Sequence, residues 1–336
     1  MSKTAEQRRN GRALLAFLTV IVGLILLFFF SVNTGSIHLS FGQLVRGLFV
    51  EYDSAVASVY DLRFPRILIA MMAGAGLACA GALFQAVLKN PLADPGILGV
   101  SSGAGFAAVV AATLFPQFYF FTPLFSFLGG LLAFGLVYSL AWKGTLSPLR
   151  IILMGVAMQA LFSGLSSGIN SMSGGNQSGV ASIVEGTITL KTWGDVKVLA
   201  GFVLVGLVLS RAAASWCNLM GLEDKTIRGL GVRVDRVRLL VSLIAVLLVG
   251  GCTAIVGTVS FLGLLVPHIG RILVGNEHRL LLPFSMLLGA FLFLLADTLG
   301  RTIAYPYEIS AGVVLSVVGG IAFVILLRKS GGIYGK

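Results

Sequence analysis

The sequence predicts an all-α polytopic membrane protein with ten transmembrane helices, and three observations carry that reading. Hydrophobic residues make up 57% of the 336 and charged residues only 11%, against about 25% charged in a soluble domain. The mean hydropathy is +0.98, and apolar runs of about 20 residues recur, the length that crosses a hydrocarbon core of roughly 30 Å. The net charge of +11 gathers mainly on one set of connections. A single integral domain, residues 1–336, accounts for such a chain, because length is a poor guide to domain count in membrane proteins.

The expected spans are 14–33, 64–84, 96–115, 122–141, 150–168, 196–213, 239–257, a short one at 258–267, 283–300 and 309–327. Arg8, Arg9 and Arg12 before an apolar run resemble the start of a signal peptide. The run from Ala13 to Val32 is too long for one, and no small-residue cleavage motif closes it cleanly. It reads as an uncleaved first helix behind a tail, 1–13. The second span opens on Arg63-Phe64-Pro65-Arg66 and repeats Ala70, Gly74, Ala78 and Ala82 at four-residue spacing, beside Gly76 and Gly81. Small residues in that register let helix backbones approach in lipid, where packing holds helices together. An Asn90-Pro91-Leu92-Ala93-Asp94-Pro95 hinge follows. The third span repeats the pattern with Gly99, Gly103 and Ala107. Pro267 is expected to end the short eighth helix.

Ten crossings place both termini on one side. If that side is cytoplasmic, the opposite face keeps only Arg46, Arg63, Arg66, Lys191, Lys197 and Arg301, six of the 24 cations. This is the positive-inside bias and sets the orientation. Basic charge here reports topology, not a nucleic-acid site. Cys79, Cys217 and Cys252 are scattered without a CxxC and read as packing residues. Ser101-Ser102-Gly103-Ala104-Gly105 has neither the preceding strand nor the GK[ST] of a phosphate loop. The chain is therefore not expected to hydrolyse ATP or to hold a cofactor.

Several polar groups stand out. Trp216–Arg238, inside an expected cytoplasmic loop at 214–238, is the most charged stretch. Its plain reading is a solvated loop. GLEDKTIRGLG can also form a short amphipathic helix capped by Gly229 or Gly231, with Leu222, Ile227 and Leu230 exposed for a partner. Arg63, Arg66 and Arg301 break the charge bias, and their plain reading is headgroup anchoring. Asp297 is the one carboxylate within a strong apolar run, a costly position, with Arg301 available at i,i+4. Glu308 lies near the same interface. His268, His278 and His38 have no second ligand at metal-binding spacing.

The stretch Arg63–Gly105 resembles the signature region of the membrane permeases of bacterial iron-chelate and vitamin B12 ABC importers (FecCD/BtuC type). Two later segments extend the resemblance over nearly the whole chain: Leu230-Gly231-Val232 with Asp235-Arg236, and Gly257–Pro283 with its Pro267-His268 and Arg271. Asp61–Met71, Pro116–Phe121 and Thr189–Asp195 look most like heme-iron uptake permeases of Gram-positive bacteria. Departures occur where the family's last helix begins Glu-x-Pro-x-Gly, here Glu308-Ile309-Ser310-Ala311-Gly312, and where it carries Gly-Gly-Pro-x-Phe, here Gly319-Gly320-Ile321-Ala322-Phe323. Residues 169–195 lack the usual Trp-Leu-x-Gly-Ser, with Glu185-Gly186-Thr187 near that place.

The resemblance implies the type II importer permease fold in the cell membrane, multi-pass, with both termini cytoplasmic. It implies a second permease subunit, most simply a homodimer, with the pathway at the interface. Two ATPase subunits would use ATP and Mg, and this subunit would bind no cofactor. An extracytoplasmic binding protein, a lipoprotein if the source is Gram-positive, would deliver the cargo. Heme stands ahead of a ferric siderophore. A cobalamin permease is the alternative within the class, and an ion-coupled secondary transporter the alternative outside it. On the family's pattern Gly221, Asp224, Arg228, Leu230, Gly231, Val232, Asp235 and Arg236 couple to the ATPase. Arg63, Arg66 and Arg301 receive the binding protein. Gln85, Asn90, Pro91, Pro95, Pro267, His268 and Arg271 form a structural or gating set.

Overall fold

Helices account for nearly all of the ordered architecture in the computed structural model, which describes residues 3–34, 39–40, 42–43, 46–47, 53–143, 145–146, 148–172, 186–305 and 307–330. His38 and Glu185 lie outside the described residues. The helices are α1 (Lys3–Asn33), α2 (Ser54–Leu62), α3 (Phe64–Leu88), α4 (Val100–Leu114), α5 (Thr122–Ala141) and α6 (Pro148–Met172). Then come α7 (Trp193–Met220), α8 (Asp224–Gly229), α9 (Val234–Val256), α10 (Leu262–Val274), α11 (His278–Ile303) and α12 (Ala311–Ser330). A 3-10 turn spans Pro116–Phe121, and Trp142–Lys143 pairs antiparallel with Thr145–Leu146, the one strand pair among the described residues.

Each of the ten expected spans overlaps a helix, the eighth only over its second half, from Leu262. Among the described residues, seven stretches are long and apolar enough to cross a membrane, while Val100–Leu114, Leu262–Val274 and Ala311–Ile325 are shorter. The protein is thus an all-helical, multi-pass membrane protein. Boundaries differ from hydropathy where packing carries a helix into polar sequence. α1 already begins at Lys3, ahead of the first expected span at residue 14. α7 runs to Met220 and α9 begins at Val234, because Cys217 and Met220, and Val234, Val237 and Val241, are buried. The loop expected at 214–238 shrinks accordingly. Gly221 caps α7, and Asp235, Arg236 and Arg238 lie in the first turns of α9.

α3 is the centre of the bundle. It packs against α7, α9, α10 and α11, and 19 of its 25 residues are buried. The small residues make this possible, as the four-residue spacing implies. A Cβ on Gly74 would collide with the backbone of Gly289, and one on Gly81 with the backbone of Gly263. The small stripe of α4 seats Gly103 and Ala107 against Gly129 of α5. Peripheral helices behave oppositely: α1 exposes Leu14, Leu15, Leu18, Val22, Leu26 and Phe30. In lipid such a surface is solvated and needs no protein cover.

Pro267 does not end the eighth span. It sits inside α10, which continues to Val274. A proline there leaves the carbonyl of residue i−4, Gly263, without its helical donor. The Gln85 side chain supplies one, donating from Nε2 to Gly263 O at 3.1 Å. The sequence at the last helix is likewise reconciled by packing. Ser310 accepts from Val313 N at 3.4 Å as an N-cap, and Gly319 leaves room for Phe261, whose ring lies 6.4 Å from Phe323.

Candidate functional site

Two polar constellations stand at opposite ends of α3. At its N-terminal end Arg66 is held on two sides. Nε donates to Asp297 Oδ1 and Oδ2 at 3.0 and 3.1 Å, and Nη2 to Oδ1 at 2.8 Å. Nη1 donates to Glu308 Oε1 and Oε2 at 3.1 and 2.9 Å. The Asp297 side chain is 1% exposed and that of Arg66 10%, whereas Glu308 is 40% exposed. Arg301 Nε lies 3.3 Å from Asp297 Oδ2, the i,i+4 pair the sequence allows, but without hydrogen-bond geometry. Its Nη2 donates instead to Ser31 Oγ, and Arg63 Nη1 to the carbonyl of Val32, both at the end of α1. Thr189 Oγ1 donates to Glu308 Oε2 at 2.8 Å. Burial raises the Glu308 carboxyl, but the Arg66 charge and hydrogen bond outweigh it and leave the group below its ordinary range.

The three arginines thus have internal partners that sequence distance concealed, since Arg66 and Asp297 are 231 positions apart. Three cations against two carboxylates leave one net positive charge in the cluster. Arg63, Arg66, Arg301 and Glu308 also line one cavity of about 600 Å³, with Ser58 and Tyr305 among its other walls. The signal available in the sequence was three cations and two carboxylates assigned to one interface.

At the other end of α3, Lys89 closes the helix in a left-handed conformation, φ 49°. Its Nζ donates to the carbonyl of Leu222 and to Asp224 Oδ1, the latter at 2.8 Å. Asp224 also accepts from Arg238 Nη2 at 3.0 Å. The Lys89 hydrogen bond, with the Arg238 charge, holds the Asp224 carboxyl below its usual range. Lys89 and Arg238 were not among the sequence candidates.

The helix expected in this loop is α8, and Gly231, not Gly229, terminates it. Gly231 has φ +77°, Gly231 N donates to Arg228 O at 3.0 Å, and Val232 N to Ile227 O at 3.3 Å. This pair of bonds is the Schellman arrangement, whose left-handed residue favours glycine. Ile227 is fully buried, contrary to the expected exposure, because it anchors α8 to the bundle. Leu222 and Leu230 remain 43% and 63% exposed. Arg228, Asp235 and Arg236 are exposed as well.

Part of the structural set gathers at the Lys89 end of α3. Gln85, Asn90, Pro91 and Arg271 share a cavity of about 470 Å³ with Lys89, Asn218, His278 and Gly221 of the coupling set. Arg271 Nη1 donates to Gln85 Oε1 at 2.6 Å, which turns the amide so that Nε2 faces Gly263 O. Asn90 Oδ1 accepts from Leu92 N at 2.9 Å, and Asp94 Oδ2 from Gly96 N at 2.9 Å. The hinge is therefore a chain of side-chain-capped turns, with Pro95 against the start of α10 at Gly263. His268 is half-buried on α10 outside that cavity. His278 N and Nδ1 both meet Asn218 Oδ1, at 2.8 and 2.9 Å. Among the described residues no three His, Cys, Asp or Glu side chains gather to hold a metal ion.

Comparison with known proteins agrees with this layout. The chain is 43% identical over 322 residues to the "Probable heme-iron transport system permease protein IsdF" of Staphylococcus aureus strain MSSA476, covering 96% of this chain and 98% of the relative. The protein of strain Newman matches to the same extent. Among solved structures, "An inward-facing conformation of a putative metal-chelate type ABC transporter" superposes with a TM-score of 0.76 at 30% identity, covering 93% of this chain and 98% of that one. "PsaBC from Streptococcus pneumoniae in complex with Fab", at 17% identity and a TM-score of 0.58, covers 86% and 95% and shares the fold. The family model for the FecCD transport family matches residues 23–329, and the chain belongs to that family.

Proposed function

We propose that this protein is the permease subunit of an ATP-driven importer of an iron complex, heme ahead of a ferric siderophore. The observation that carries the reading is the 43% identity, along 96% of the chain, to a permease named for heme-iron transport. In this reading ten helices cross the membrane, and the α8 face with both termini is cytoplasmic. The face bearing Arg63 and Arg301 is outside. Two copies form the pathway at their interface, and two ATPase subunits supply ATP and Mg chemistry. The chain itself binds no cofactor.

The ends of α3 support the division of labour. Leu222 and Leu230, apolar and exposed beside α8, suit a groove on an ATPase subunit. The partly open arginine cavity, with one net positive charge, suits an acidic lobe of a binding protein, since complementary charge speeds and orients encounter. Asp297 has both oxygens occupied by Arg66, which supports a structural role over proton carriage. The test is reconstitution of the permease with its ATPase and binding protein. Heme uptake should require ATP and survive an uncoupler, and the binding protein should show a Soret band with heme. Uptake without ATPase that stops with an uncoupler would establish a secondary transporter instead. A second cargo, a metal chelate without porphyrin, is favoured by the solved transporter named for metal chelates. A binding protein that takes a ferric siderophore but gives no Soret band would select it.

A further inference from the structure

α3 connects the two constellations directly, and one residue completes the connection. Its 25 residues span roughly 37 Å at 1.5 Å per residue, so one rod reaches from the arginine cluster to α8. Its burial and its backbone contacts with Gly289 and Gly263 leave it little freedom to bend. Such a rod moves as a body, because close-packed interiors shift between discrete arrangements and do not deform continuously. At one end Arg66 is fixed by four hydrogen-bonded carboxylate oxygens. At the other, Lys89 reaches both the Leu222 carbonyl, just before α8, and Asp224, the first residue of α8. Asp224 is shared: Arg238 ties it independently to α9. Loss of Lys89 would therefore free α8 from α3 without freeing it from the bundle.

We propose that Lys89 is the positioning residue that ties the α8 coupling segment to α3, so that binding-protein engagement at the Arg66 end changes the placement of α8 at the ATPase. The proposal rests on the importer reading above, and it assigns Lys89 neither substrate nor ATPase contact. The Lys89–Asp224 pair is partly exposed, with side chains 32% and 36% accessible, so it contributes little to stability. Coupling needs little: site-to-site coupling is commonly of order fivefold or more.

The experiment uses the assembled transporter in lipid nanodiscs, comparing wild type, Lys89→Met and Lys89→Arg. ATPase co-purification, melting temperature, basal ATP hydrolysis and hydrolysis stimulated by loaded binding protein are measured for each. Lys89→Met should keep the first three and lose about fivefold of the stimulation, while Lys89→Arg restores it by keeping the cation. Three results overturn the proposal: undiminished stimulation in Lys89→Met, no recovery in Lys89→Arg, or loss of ATPase co-purification in Lys89→Met. Failure of the importer reading shows separately, as wild-type assemblies whose hydrolysis does not respond to binding protein.

Discussion

At the residue scale, Gln85 and Asp297 show how one side chain completes a backbone or a charge network. Gln85 replaces the donor that Pro267 lacks, and Arg271 fixes its orientation. Gln85→Leu should leave Gly263 O unsatisfied and reduce stability by about 1–3 kcal/mol. Gln85→Glu places an acceptor against an acceptor and should do no better. The measurement is thermal unfolding in detergent, and a melting temperature equal to wild type for Gln85→Leu would disprove the role. Asp297→Asn removes the main counter-charge of buried Arg66, for which about 3–5 kcal/mol is the expected loss. Any folded fraction should still transport in an ATP-dependent way, indifferent to a collapsed proton gradient. Gln85 was legible in the sequence as part of a motif, but its task was not, since nothing local places residue 85 beside residue 263.

At the element scale, α8 is a six-residue helix too short to persist alone. It is held by the Gly231 turn, buried Ile227 and the Asp224 ties. A Cβ on Gly231 would meet nothing within 4 Å in the free subunit. Gly231→Asn, a residue that tolerates positive φ, should therefore keep ATPase co-purification near normal. Gly231→Asp adds a charge at the proposed interface and should lower co-purification and transport while membrane insertion stays normal. Equal co-purification for both variants and wild type would remove α8 from the interface. The ties also have a pH signature. The Asp224 carboxyl is depressed in the fold, so its contribution is present above the unfolded value of 3.8 and is lost as pH falls through the lower folded value. Amide exchange in α8, corrected for intrinsic rate, should be as protected at pH 5 as at pH 7 and lose protection only below about pH 4. Loss already at pH 5 would contradict the assignment. The helix, its glycine stop and its charge were readable locally; burial of Ile227 was not.

At the scale of the whole molecule, the arginine cluster is the proposed docking surface and lies at the opposite end of α3 from α8. Reversing Arg66 would set a third carboxylate beside Asp297 and Glu308 and disrupt the core, so Arg63, tied to a backbone carbonyl, is the residue to reverse. Arg63→Glu should slow association of the binding protein at low salt and reduce its salt sensitivity. Basal hydrolysis should persist, because α8 lies at the far end of α3. Identical association kinetics for wild type and Arg63→Glu at low and high salt would assign Arg63 to the headgroup region. The solvent, the helical class and the positions of ten apolar segments were determined by the sequence alone. Burying backbone in lipid demands runs of apolar residues, and small residues at four-residue spacing mark where helices touch. Only the tertiary structure decided that Arg66 belongs to Asp297 and Glu308, that Gln85 serves Gly263, and that Lys89 reaches α8. Those partners are 133 to 242 positions away, and no local pattern encodes a pairing that exists only once the helices have packed.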